Sequence, residues 1–246
     1  MKTVFVIWRD IKDGMWHTVA QLSRKDNIYQ LNYTQGAAHP NFTAFPRMTN
    51  KAESYVSNTL FSFFQNRLLP LNRPEFKKML DWSDLRMDSY DELEMLSISG
   101  GARKTDQYRI ISKPQITEAS YKIRFFISGI SHLSDKNICK IESLKSGDLL
   151  AFEVEDTNQY DNNAVLVTTI DEEKVKVGYC PKYYNKDIRT LLDINLFKDY
   201  LKVVKVNSDA PAHFRLLCEF ATPWPNDFAS FNSTECLPFE KEVVAV

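Results

Sequence analysis

Glycine is scarce in this chain, with seven in 246 residues. No fixed-period repeat or low-complexity tract accompanies it, which excludes collagen-like, solenoid and linker-array architectures. Long hydrophobic runs are missing too. The opening "MKTVFVIWRDIKDG" is interrupted at Trp8-Arg9-Asp10, too early for a signal peptide or a membrane span. It reads as a first strand and turn of a protein expected to be cytoplasmic, with no membrane partner. The four cysteines, Cys139, Cys180, Cys218 and Cys236, are widely spaced, with no C-x-x-C pair and no nearby histidine. They are expected to be buried free thiols, and no metal is expected. Neither sign of charge dominates: 31 basic against 32 acidic residues gives a net charge of -1. That excludes the broad cationic field of a non-specific duplex coater, so any nucleic-acid contact is small and local.

Catalytic constellations are absent as well. His17, His39, His132 and His213 show neither H-E-x-x-H nor H-x-E spacing, and no G-x-S-x-G elbow occurs. "SISGGARKT" sets Lys104 and Thr105 after a glycine pair without the spacing that cradles a phosphate chain, and reads as a helix C-cap and turn. Glu172 and Glu173 read as a solvated loop. The expectation is a non-enzymatic protein without a cofactor.

What is present is enough apolar material, 43% of residues, for one large core or two small ones. The segments "TVFVIWR", "WHTVAQLSR" and "IYQLNYT", separated by turn formers, predict an antiparallel meander. In "AESYVSNTLFSFFQNRLLP", Val56, Leu60, Phe63 and Phe64 fall at helical spacing, with Ser54 or Ser57 as cap. Further helices are predicted over "PEFKKMLDW" and "YDELEMLSIS", the latter ended by Gly100-Gly101, before a strand at "DQYRIISK". Lys113-Pro114-Gln115 is the linker candidate. Beyond it, "YKIRFFISGISHL", "GDLLAFEVE", "AVLVTTI", "KVKVGYCP", "YLKVVKVNS" and "AHFRLLCEFA" read as strands, with a helix at "YYNKDIRTLLD". The fold class is therefore an α+β N-terminal domain, residues 1–114, followed by a mostly β barrel domain, residues 119–222. The tail, 223–246, is free to wrap over one domain or pack on the other.

Two resemblances sharpen this. "IRFFISG", "GDLLAFEVEDTNQYDNNAVLV" and "VGYCPKYYNKDIRTLL" resemble, in order and spacing, the HIRAN domain, most specifically in the Y-D-x-N-A core at 160–164. That resemblance implies an OB-like barrel that captures a free 3′ end of single-stranded DNA. On it, Tyr160 and Phe125 offer flat faces for terminal bases, and Arg124 and Lys182 hold phosphates. Asp161 accepts from a terminal hydroxyl and repels an onward phosphate. Tyr179 completes the set, and Phe214 is a further stacking wall. Phe125 and Tyr179 stand where the family's DNA-end binders often have tyrosine and histidine, and the acidic Glu153, Glu155 and Asp156 lie close in sequence. The alternative reading of the same stretch is a tight turn made by Asp161, Asn162 and Asn163, with Tyr160 covering the barrel. Upstream, "LFSFFQNRLLPLNRPEFKKML" and "YDELEMLSISGGARKTDQYRII" resemble the N-terminal subdomain of HipA-type kinases, without the kinase body. Phe63, Phe64, Leu68, Leu69 and Pro70 are then core residues. A second functional reading follows, in which this half docks on a protein partner such as a toxin or defence protein.

Overall fold

In the computed structural model, residues 2–103, 105–116, 119–194 and 200–239 are described. They form two units. The first comprises Met1–Phe76, Tyr90–Lys113 and the stretch from Phe231; the second takes Lys77–Ser89 and Pro114–Ser230. This differs from cuts at 114 and 222, because both units recruit a segment distant in sequence.

The first unit is built on an antiparallel sheet of β1 (Lys2–Arg9), β2 (Trp16–Lys25), β3 (Ile28–Tyr33), β4 (Ser54–Ser57) and β5 (Tyr108–Ser112), ordered β4-β3-β2-β1-β5. The three predicted strands of the meander fall where the sequence put them. In β1, Val4, Phe5, Val6 and Ile7 are all buried, as befits an inner strand covered on both faces. One face carries the core of Val4, Val6, Leu22, Leu31 and Tyr33 under Phe45, Phe64, Leu93 and Leu96. On the other, Phe5 meets Phe231 with ring centroids 5.1 Å apart.

The helix predicted over 52–70 is a correction: Ser54–Ser57 is a strand, and α1 (Ser62–Gln65) is a single turn. The exposed edge of β3 accounts for it. Its unpaired backbone groups take Ser54–Ser57 in the register Tyr29↔Ser57 to Asn32↔Ser54, which overrides the weak 3.6-residue pattern. Helices α2 (Pro74–Trp82) and α3 (Glu92–Ser99) match expectation. The Asp91 carboxylate caps α3 by accepting from the Glu94 amide at 2.9 Å, and left-handed Gly100 ends it. "SISGGARKT" is thus a C-cap and turn through Gly101, while Lys104 lies outside the described residues.

The second unit curls a six-stranded antiparallel sheet of β6 (Ser120–Phe126), β7 (Leu149–Val154), β8 (Val165–Thr169), β9 (Lys176–Tyr179), β10 (Leu201–Val206) and β11 (Leu216–Pro223), ordered β6-β11-β10-β7-β8-β9. Its outer strands meet where Ser128 and Tyr179 exchange two backbone hydrogen bonds of 2.9 Å. A helix absent from the sequence-based prediction, α4 (Asp135–Ser143), follows the N-cap Ser134; α5 (Asn185–Ile194) is the predicted one. Cys180 and Cys218 are the buried thiols expected, whereas Cys139 is exposed and Cys236 partly so; none is disulfide-bonded. The tail divides: Trp224 and Phe228 pack on Tyr121 in the second unit, and residues from 231 join the first. Among the described residues no helix is long and apolar enough to cross a membrane.

Candidate nucleic-acid interface

The polar stretch between β7 and β8 is built from two side-chain-capped turns. Asn158 Oδ1 accepts from the amides of Tyr160 (2.9 Å) and Asp161 (3.1 Å), and Asp161 Oδ1 accepts from the Asn163 amide at 3.0 Å. These bonds take over from strand pairing beyond the last ladder bond, in which the Glu155 amide donates to the Ala164 carbonyl at 3.1 Å. The turn throws Tyr160 outward, where it is 90% exposed and covers nothing. Turn-forming and display therefore belong to one structure, and the notion of Tyr160 as a lid on the barrel is corrected.

Behind the turn lies a cleft of about 930 Å³, within the range that holds a small organic ligand. It gathers Tyr160, Asp161, Tyr179 and Lys182 from the expected set. Lys182 Nζ donates to the Tyr160 carbonyl at a loose 3.4 Å. Asp161 Oδ2 accepts from Asn185 Nδ2 at 2.9 Å, which fixes the carboxylate at the cleft wall. Tyr179 donates its hydroxyl hydrogen to Glu155 Oε2 at 2.9 Å and accepts from Lys176 Nζ at 2.7 Å, with the ammonium 4.2 Å from the ring centroid. The bond from Asn158, with help from Tyr179 and the Lys176 charge, holds the Glu155 carboxyl below its ordinary range against the opposing effect of burial. Glu155 thus stays ionised, but its charge is matched by Lys176. The acidic cluster is further reduced by Arg189, which pairs with Asp156 at 2.5 Å.

The other three expected residues lie apart from the cleft. Successive strand residues point to opposite faces, so Phe125 turns inward while Arg124 turns outward. Phe125 is 3% exposed, packed on the Tyr184 ring at 5.9 Å. Arg124 donates to Asp84 Oδ2 at 2.9 Å. Phe214 stacks on Trp82 at 6.1 Å and meets Phe126 edge-on at 5.1 Å. In this conformation each serves packing or an ion pair within the second unit.

Sequence reading missed Lys176, His132 and Asn185 as cleft residues. Lys176 had a signal, since the alternation in "KVKVGY" sets it opposite buried Val175 and Val177. Asn185 had none. It is 2% exposed, and its Oδ1 is a buried acceptor without a partner, a costly arrangement unless something occupies the cleft.

The second unit is thus a small curled barrel with a turn-built cleft, an exposed aromatic ring and convergent polar groups. Residues 120–224 match the HIRAN domain family. The match does not reach the half that resembles the HipA N-terminal subdomain. No curated protein matches the chain. Among solved structures, a protein from Lactobacillus plantarum determined by a structural genomics consortium aligns at 22% identity, covering 42% of this chain and 97% of that one, with a TM-score of 0.32. The HIRAN domain of human HLTF aligns at 17% identity, covering 43% and 81%, also with a TM-score of 0.32.

Proposed function

We propose that the second unit binds DNA, taking the free 3′ end of a single strand in the cleft under the 158–163 turn, without chemistry on it. The family match supplies the class of ligand, since HIRAN domains are DNA-binding modules for 3′ ends. The observation in this chain that carries the reading is the pairing, in one cleft, of a 90%-exposed tyrosine ring with a carboxylate anchored by Asn185. Tyr160 stacks on a terminal base and Lys182 meets a phosphate. Asp161 accepts from the 3′ hydroxyl and repels an onward phosphodiester. The orphaned Asn185 Oδ1 is a second acceptor on the same wall, suited to a hydroxyl or a base amino group.

Fluorescence anisotropy at fixed salt with linear 3′-hydroxyl, 3′-phosphate and circular single-stranded DNA tests this. The linear 3′-hydroxyl strand is expected to bind best, and Asp161→Ala and Asp161→Asn to narrow its advantage over the 3′-phosphate strand. Circles that compete as well as linear strands would overturn end recognition. Discrimination unchanged in both variants would remove Asp161 from the role.

A further inference from the structure

A second cluster stands in the first unit, well apart in sequence from the DNA cleft. We infer that Asp13, His17 and His39 form a site for a divalent transition-metal ion, zinc being the best fit. One ligand atom from each of the three lies within 4.8 Å of the others. Asp13 Oδ2 sits 3.9 Å from His17 Nε2 and 3.9 Å from His39 Nε2, equidistant from the two. Ligand atoms on a tetrahedral zinc ion, with bonds of about 2.0–2.1 Å, are roughly 3.3 Å apart. Contractions of about 0.6 Å bring Asp13 Oδ2 to that spacing from each histidine nitrogen.

Two further observations point to a ligand. His17 Nε2 is a buried nitrogen without a hydrogen-bond partner, although the residue next to it in space is a carboxylate. Its other nitrogen, Nδ1, is bonded to Glu235 Oε1 at 2.8 Å. A carboxylate on the far nitrogen of an imidazole fixes the tautomer that leaves Nε2 as a lone-pair donor, and this is the usual outer support of a metal-bound histidine. Asp13 is equally prepared. Its Oδ1 accepts from the Met15 amide at 2.7 Å, which fixes the carboxylate and leaves Oδ2 toward the histidines.

His39 must pay one small adjustment. Its Nδ1 accepts from the Asn41 amide at a long 3.3 Å, and coordination through Nε2 moves the ring proton to Nδ1, so that contact is given up. Asp10 Oδ2 lies 3.8 Å from His39 Nε2, but already accepts from Asn41 Nδ2 at 2.6 Å. The fourth position is therefore water or Asp10. Two nitrogens and a carboxylate suit zinc, cobalt or nickel rather than calcium or magnesium, which want six or more oxygens.

The test uses the full chain, freed of metal with a chelator. Zinc is titrated against a chromophoric competitor, and cobalt is added separately to read coordination from its visible bands. One equivalent of zinc is expected to bind, with cobalt bands of a four-coordinate nitrogen–oxygen site. Asp13→Asn keeps the Oδ1 bond to Met15, so the turn survives; it, His17→Ala and His39→Ala are expected to weaken zinc at least tenfold. Glu235→Gln is expected to weaken it by about 10–100-fold, and His213→Ala to leave it unchanged. Failure of the parent to bind one equivalent overturns the proposal. So does binding unaffected by Asp13→Asn and Glu235→Gln, which would put the ion on other groups such as the exposed Cys139.

Discussion

Tyr160 and Asp161 are neighbours on the chain with opposite circumstances: one ring stands free in solvent, while the next carboxylate is clamped by the Asn163 amide and Asn185. Function and stability separate accordingly. Tyr160→Ala is expected to weaken single-stranded DNA binding by about 1–3 kcal/mol, the worth of one stacked base, and to leave the melting temperature unchanged. Anisotropy and a thermal melt on one sample check both halves, and a fall in melting temperature without a loss of binding would return Tyr160 to a structural role. Adjacent residues such as these are legible in sequence because a short motif holds them together. Asn185 is 24 positions from Asp161, and only the fold shows that their side chains meet.

At the scale of elements, the glycine of the "VGY" segment explains how β9 reaches the end of β6. Gly178 has φ +137°, and a β-carbon there would lie 2.4 Å from Ile127 Cγ2 and 2.6 Å from the Ser128 carbonyl oxygen. Only glycine admits the approach that lets Ser128 and Tyr179 pair. Gly178→Ala is expected to cost at least about 1–3 kcal/mol through overpacking, with DNA binding falling in parallel because Ser128, Gly129 and Tyr179 line the cleft. A melt of the variant matching the parent would show that the closure tolerates a side chain. Strand existence was readable from alternation in β2 and from apolar runs in β1 and β8. The strand at Ser54–Ser57 was not, because the edge of β3 that recruits it is a tertiary feature.

Across the whole molecule, each unit closes with a segment remote in sequence. Residues 231–239 bring Phe231 to Phe5, Glu235 to His17, and the Tyr33 carbonyl to the Phe239 amide, all within the first unit. Within the second, the 77–89 segment brings Asp84 to Arg124, Asp81 to Lys205 at 2.7 Å, and the Trp82 ring to Phe214. A fragment cut at 119–222 loses those partners and leaves the Arg124 guanidinium unpaired. It is expected to melt below a 77–230 fragment, by about 2–8 °C for each kcal/mol lost in domains of these sizes. Equal melting temperatures for the two would show that the 77–89 segment adds nothing to the barrel. Fragment 1–114, used alone to seek a protein partner, would likewise lack the 231–239 segment.

The sequence by itself determined the local things: which stretches extend, where α3 starts and stops, and that a Y-D-x-N-A turn sets an aromatic residue next to a carboxylate; that the Tyr160 ring stands exposed came from the structure. Short-range periodicity, capping and turn chemistry decide the local things, and they act within a few residues. The tertiary structure alone decided that Arg124, Phe125 and Phe214 lie away from the cleft, that Asn185 and Lys176 belong to it, and that two histidines 22 positions apart converge on Asp13. Burial and partnership depend on which faces the folded chain brings together, and composition and spacing do not encode that.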